Sequence, residues 1–276
     1  MDVSALSSIE LVIFDLDGTL IDTNLKFKEN DLKTILLLMK KGIKVTIATG
    51  RTFGSALPYI RMLSINMPVI TCNGAAIVDS KTEKLILEKR ISAEIIQEAV
   101  HTAQYFHVEP ILYKDSLRSD PYIVKETNTV TAFIKQEGLK RVITGSIKEV
   151  TDTSMQAVKL QIVGNTEQLV LYRKEMLSRE KNISIVMTKP DYLEIMPAGV
   201  SKGSAAEHLC GILNIPREKT MSFGDSLNDL ELLTLGGIGV AMADAPEELK
   251  SSAEFITGDI SSILKLLIAD TGKEAQ

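Results

Sequence analysis

Short apolar runs stand near both ends of the chain, and each stops at a polar cluster. Leu11-Val12-Ile13-Phe14 is uninterrupted, the pattern of a strand buried on both faces of a parallel sheet. Lys44-Val45-Thr46-Ile47-Ala48 and Val69-Ile70-Thr71-Cys72 predict two more strands. Leu32, Ile35, Leu36 and Met39 recur at helical spacing, which predicts a helix over 29–41 closed by Gly42. A second helix is predicted over 53–63. The alternation returns late in the chain: a helix over 202–213, a strand over 220–223, a helix carrying Leu227, Leu230 and Leu233, strands over 238–241 and 255–257, and a last helix with Ile260, Ile263, Leu264 and Leu267.

Strands that alternate with helices predict an α/β fold with a doubly wound, mostly parallel, Rossmann-like core sheet. The middle of the chain departs from that alternation. Asp79-Ser80-Lys81-Thr82 lies between Ala76-Ile77-Val78 and Leu85-Ile86-Leu87, a hairpin signal. Helices are then predicted over 93–105, 127–137 and 166–177, with strands over 110–113, 141–143, 157–163, 183–187 and 192–196. This is an α+β pattern. The expected organisation is a core from 1–80 and 190–276 with an inserted α+β domain over 81–189. The tail, 271–276, reads as unstructured.

Length and composition agree with this. The chain has 276 residues, 45% hydrophobic and 24% charged, enough for one large or two modest domains. A formal charge of -5 leaves no electrostatic footprint for nucleic acid. No apolar run approaches the ~18 residues that span a bilayer, and Asp2 stands where a signal peptide carries basic residues. Two cysteines, Cys72 and Cys210, exclude a disulfide framework. A cytoplasmic protein with no membrane partner is the expectation; the oligomeric state is left open.

Candidate chemistry sits where predicted strands stop. Asp15 and Asp17 follow the first strand, and a period of two places both on one face. Two acids at the mouth of an apolar strand invite a divalent cation, and Mg²⁺ takes hard oxygen ligands; acids capping a turn are the alternative. Thr49-Gly50-Arg51 ends the second strand, and Asn73-Gly74 the third. A hydroxyl and backbone amides at a helix start suit a phosphoryl oxygen. Asp225 ends a later strand, with Asn228 and Asp229 close behind, and Lys202 opens a helix. In an open α/β sheet such groups gather outside the carboxyl ends of the strands. His101, His107 and His208 have no ligand spacing and read as structural or surface residues. The polar segment 114–120 reads as a solvated loop.

Asp15-Leu16-Asp17-Gly18-Thr19 resembles the first motif of the haloacid dehalogenase-like hydrolase superfamily. Thr49-Gly50-Arg51, Lys202 and Gly224-Asp225-Ser226-Leu227-Asn228-Asp229 resemble its second, third and fourth. Asn73-Gly74-Ala75 and an insert between the second and third motifs resemble its Cof-type branch, in which the insert is an α/β cap. Ala241-Met242-Ala243 stands where that branch usually reads Gly-Asn before the alanine. The resemblance implies a Mg²⁺-dependent phosphomonoester hydrolase acting on small phosphorylated, sugar phosphate-like metabolites. Asp15 would be the nucleophile and Asp17 the general acid and base. Mg²⁺ would be held by Asp15, the Asp17 backbone carbonyl and Asp225. Lys202, Thr49, Gly50, Asn73 and Asn228 would contact the phosphoryl group, with Asp229 behind them. A phosphotransferase or phosphomutase with the same nucleophile, and a non-catalytic phosphate-binding regulator, remain alternatives.

Overall fold

The computed structural model describes residues 6–118, 120–139 and 142–270. In chain order the strands are β1 (Leu11–Phe14), β2 (Lys44–Ile47), β3 (Val69–Thr71), β4 (Ala76–Val78), β5 (Leu85–Glu88), β6 (Glu109–Tyr113), β7 (Tyr122–Ile123), β8 (Ile143–Thr144), β9 (Lys159–Val163), β10 (Ile183–Lys189), β11 (Tyr192–Pro197), β12 (Thr220–Gly224), β13 (Ile238–Met242) and β14 (Phe255–Thr257). The helices are α1 (Glu29–Lys40), α2 (Phe53–Met62), α3 (Ala93–Tyr105), α4 (Asn128–Gln136), α5 (Ile147–Val150), α6 (Thr166–Arg179), α7 (Lys202–Leu213), α8 (Leu230–Leu233), α9 (Glu247–Lys250) and α10 (Ile260–Asp270). The chain divides into two compact units. One comprises Met1–Gly50, Ala56–Ile86 and Ser201–Gln276; the other comprises Arg51–Ser55 and Leu87–Val200. The long segment of the second unit begins and ends later than 81–189. The tail expected to be unstructured, 271–276, lies outside the described residues.

The first unit is built on a five-stranded sheet in the order β14-β13-β12-β1-β2, parallel throughout. All four residues of β1 are buried, as expected of an unbroken apolar run between helices. Phe14 stacks on Phe223 of β12 with ring centroids 4.8 Å apart. Ala48, just past β2, makes a parallel bridge to Ile70, so β3, antiparallel to β4, continues from the sheet's edge. The predicted 79–82 turn is closed by Asp79, whose Oδ1 accepts from the backbone N–H groups of Lys81 and Thr82. The predicted helix after Asp225 is a 3₁₀ turn over Leu227–Asp229 followed by the short α8.

The second unit holds a six-stranded sheet in the order β10-β11-β9-β6-β7-β8. Its pairs are antiparallel except β7–β8. One face carries Leu112, Leu160, Ile162, Leu193 and Ile195 into a core shared with Ile96 and Val100 of α3 and Leu169, Tyr172 and Met176 of α6. Segment 114–120 departs from the solvated reading. Ser116 is fully buried: its hydroxyl donates to Glu88 and its carbonyl accepts from the Phe53 N–H at 2.7 Å. Arg118, paired with Asp115, reaches well into solvent. A buried backbone carbonyl needs such a donor, and α2's first turn has N–H groups to spare. Among the described residues, no helix is long and apolar enough to cross a membrane.

Because Phe14 is fully buried at the centre of the parallel sheet, Phe14→Ala is expected to cost about 3–5 kcal/mol, and Phe14→Leu less than half of that. Chemical denaturation of the two variants checks this order.

Candidate active site

Asp15 extends β1 by one residue: its N–H donates to the Phe223 carbonyl at 2.9 Å, which holds its side chain at the carboxyl end of the sheet. Asp15 is 3% exposed. Its Oδ1 accepts from Lys202 Nζ at 2.6 Å, and the same ammonium donates to Asp229 Oδ1 at 2.6 Å. Lys202 is the first residue of α7, and Ser201 is that helix's N-cap. The Ser201 hydroxyl accepts from the Ser204 N–H, and the Ser204 hydroxyl accepts from the Ser201 N–H. Ser201 also donates to Glu231. These bonds fix the helix start from which the lysine reaches inward.

Asp229 ends the 3₁₀ turn after β12, and both its oxygens are engaged. Oδ1 takes the lysine, and Oδ2 accepts the N–H groups of Asp225 and Ser226, each at 3.1 Å. Gly224 permits this, since a Cβ there would collide with the Asp229 side chain. Asp225 Oδ1 accepts from the Thr19 hydroxyl at 3.2 Å. Gly18 is required twice over: its φ is +86°, and a Cβ would collide with Asp225 Oδ2. Asp15, Asp225 and Asp229 each present an oxygen within 4.8 Å of the others. Asp17 is not one of the three carboxylates; β1 stops at Phe14 and Asp17 is exposed.

Three carboxylates around one ammonium leave excess negative charge in a buried place. Burial pushes the Asp15 carboxyl well above its ordinary range; Lys202 opposes this, and Asp229, Asp225 and Asp17 add to it. Burial, reinforced by Asp229, raises Asp225 to about 6, against Lys202 and Thr19. For Lys202, burial favours the neutral amine, but Asp15 and Asp229 together reverse this and hold its pKa above that of a free lysine. Asp15 Oδ2 is buried with no hydrogen-bond partner among the described residues. An unpartnered carboxylate oxygen beside a second carboxylate is a hard-oxygen donor set, and it fits a divalent cation such as Mg²⁺.

The remaining expected residues form a second group. Thr49 is buried; its N–H donates to Ile70 and its carbonyl accepts from the Asn73 N–H, both at 3.0 Å. Asn73 sits at φ 53° and accepts at Oδ1 from Asn228 Nδ2 at 3.0 Å. Gly50 faces the Asn73 carboxamide, which a Cβ would crowd at 3.1 Å. Asn228 Oδ1 is buried and unpartnered among the described residues, next in sequence to Asp229. Thr19 and Ser201 escaped the sequence reading of the site; the only signals for them were the threonine of the Asp-Gly-Thr run and a serine before a predicted helix. His101, His107 and His208 are exposed and stand outside the cluster. Cys72 and Cys210 are buried.

A family model described as haloacid dehalogenase-like hydrolase matches residues 12–263. Among curated proteins, the chain is 28% identical over 251 residues to an HMP-PP phosphatase of Serratia proteamaculans, covering 87% of this chain and 86% of that one. It is 25% identical over 259 residues to a 5-amino-6-(5-phospho-D-ribitylamino)uracil phosphatase of Bacillus subtilis, covering 90% and 91%. In fold it is similar to a HAD/COF-like hydrolase of Plasmodium vivax, with a TM-score of 0.83 at 21% identity, covering 96% of this chain and 98% of that one. The motifs, the parallel sheet that gathers them and the match across nearly the whole length agree, and the chain belongs to the haloacid dehalogenase-like hydrolase family.

Proposed function

We propose that this enzyme is a phosphatase that hydrolyses small phosphorylated metabolites through an aspartyl-phosphate on Asp15, with Mg²⁺ as cofactor. The observation that carries the reading is the Asp15 carboxyl itself: one oxygen is fixed by Lys202 and the other is buried without a hydrogen-bond partner among the described residues. A carboxylate fixed in this way is oriented for nucleophilic attack.

In the first half-reaction an Asp15 oxygen bonds to phosphorus. The bond from phosphorus to the alcohol oxygen breaks, its electron pair leaves with that oxygen, and Asp17 supplies the proton that makes the alcohol. In the second, Asp17 takes a proton from water, the water oxygen bonds to phosphorus, and the acyl-phosphate bond breaks to return the Asp15 carboxylate and free phosphate. The exposure of Asp17 suits a group that must meet alcohol and water in turn. Lys202 stays charged throughout, because two carboxylates hold its proton, and it offsets charge on the transferring oxygens. Thr49, Gly50, Asn73 and Asn228 bind those oxygens. Asp15, Asp225 and the Asp17 backbone carbonyl would hold Mg²⁺, with Asp229 behind them holding Lys202. When bound, the ion neutralises the crowded carboxylates and draws charge from the phosphoryl group. The substrates named for the two relatives, HMP-PP and a phosphorylated ribitylaminouracil, support a small phosphorylated metabolite as the class.

Asp15→Asn is expected to lower phosphate release from any phosphomonoester at least about 1,000-fold, because a near-isosteric amide cannot attack phosphorus. Wild-type turnover by the folded variant rules out Asp15 as nucleophile.

Chelation is expected to abolish turnover and Mg²⁺ to restore it. Stability follows the carboxyls. Asp225 ionises near 6 when folded against 3.8 for a free side chain, so the folded state keeps a proton that the unfolded chain has lost between those values. Its contribution is fully present below about pH 4 and is lost as pH rises through 6. The metal-free protein is therefore expected to lose Tm between pH 5 and 7.5, and Mg²⁺ to raise Tm more at pH 7.5 than at pH 5. Differential scanning calorimetry at the two pH values, with and without the ion, reads both effects; an equal Mg²⁺ shift at both counts against these carboxyls as ligands.

A further inference from the structure

Two short segments meet at Lys202 and touch it at both ends. One is the start of α7, Ser201-Lys202-Gly203. The other runs from the end of the 3₁₀ turn into α8 and carries Asp229 and Glu231. At the head of the lysine, Asp229 Oδ1 accepts from Nζ. At its root, Glu231 meets both chain neighbours of Lys202. The Ser201 hydroxyl donates to Glu231 Oε2. Gly203 packs on the Glu231 main chain so closely that a Cβ there would stand 2.5 Å from the Glu231 carbonyl carbon and oxygen. One short stretch of chain therefore holds the buried lysine by its tip, through Asp229, and by its backbone, through Glu231.

The Ser201 bond also sets the direction of the helix cap. A hydroxyl has one proton and two lone pairs. With the proton given to Glu231, the lone pairs are left for the Ser204 N–H, the bond that caps α7. Lys202 needs such a fixed root. Its ammonium rides on a flexible four-carbon stem, and a stem of that kind places its head only where its base is held. Glu231 is exposed, whereas Lys202 is 2% exposed. An exposed carboxylate adds little to stability, so its effect is to be sought in what it holds. We propose that Glu231 is a positioning residue: through Ser201 it fixes the backbone of Lys202 and so keeps the ammonium between Asp15 and Asp229. The consequence for turnover rests on the phosphatase reading above; the consequence for Lys202 itself does not.

The test compares Glu231→Ala, Glu231→Gln and Ser201→Ala with the wild type. Glutamine keeps an acceptor for the Ser201 hydroxyl; alanine removes it and leaves the Glu231 main chain on which Gly203 packs. The first measurement needs no activity: brief treatment with acetic anhydride, then peptide mass spectrometry, with the exposed Lys33 as reference. Labelling of Lys202 relative to Lys33 is expected to rise about fivefold in Glu231→Ala and to stay within about twofold of wild type in Glu231→Gln. The second is Mg²⁺-supported hydrolysis of phenyl phosphate. Glu231→Ala is expected to lower kcat about tenfold with KM changed less than about twofold, because Lys202 offsets charge that grows in the transition state; Glu231→Gln is expected to stay within about twofold of wild type. In a Ser201→Ala background, Glu231→Ala is expected to cost less than about twofold more, since the two residues act as one. A merely structural glutamate would lower Tm and leave kcat per folded molecule unchanged. Unchanged kcat or unchanged labelling in Glu231→Ala overturns the proposal. So does a glutamine variant that behaves like the alanine one, or a tenfold loss that persists without the Ser201 hydroxyl. A wild type that hydrolyses neither phenyl phosphate nor glucose 6-phosphate defeats the phosphatase reading, and the labelling alone then decides the role of Glu231. Glu231→Met, which keeps the length without the acceptor, serves if the alanine variant does not fold.

Discussion

The ammonium of Lys202, held at 2.6 Å from both Asp15 and Asp229, is the interaction on which the active site depends. Its three parties come from three distant parts of the chain, and each arrives by a separate local device. Asp15 is placed by one more rung of the β1–β12 ladder. Lys202 is placed by the cap that starts α7. Asp229 is placed by a turn whose two N–H groups it accepts. None of these devices is expensive alone, yet together they bury a charge that no single element could hold. Removing the lysine would leave carboxylates buried without compensation, a change that typically costs about 3–5 kcal/mol. With the lysine in place the cluster still carries more negative than positive charge. That surplus favours a cation or a proton over water, and it adds to the burial that raises the pKa of Asp225.

The two units treat buried polarity differently. In the first, carboxylates and amide groups meet where parallel strands stop and loops begin, so backbone N–H groups are at hand to satisfy them. In the second, Lys159, Gln161 and Glu194 lie in the middle of an antiparallel sheet whose backbone is already paired, so the sheet has few N–H groups to spare for them. Lys159 and Glu194 solve this as a pair; Gln161 does not. Asp15 Oδ2 and Gln161 Oε1 are thus alike in kind: each is a buried acceptor without a donor among the described residues, one on each unit.

Much of this was legible in the sequence, and the omissions have physical causes. The run Leu11 to Phe14 was legible as a strand because it is short, unbroken and stops at an Asp-Gly turn signal, and all four of its residues are buried. The two-residue strands β7 and β8, and the single turn α5, carry too little periodicity to register; β8 is also shifted from the expected 141–143, whose first residue lies outside the described residues. Spacing marked Asp225 and Asp229 as neighbours, but the partnership of Asp229 with Lys202 is a contact across 27 residues that no pattern encodes. Alternation also misleads at Lys159-Leu160-Gln161-Ile162: polar residues at every second position ordinarily mean a solvated face, and here both faces are buried.

The position of β1 has a consequence for the newly made chain. This central strand pairs with β2, made soon after it, and with β12, which begins at Thr220. Until that late stretch leaves the ribosome, one edge of β1 has no neighbour, and Asp15 lacks both the rung that orients it and the cation that balances it. Most of the second unit, Leu87–Val200, emerges earlier as one continuous stretch and can collapse first. The acidic centre is thus among the last parts of the molecule to form, and truncation before residue 220 would leave a chain with an apolar strand edge still open to its neighbours.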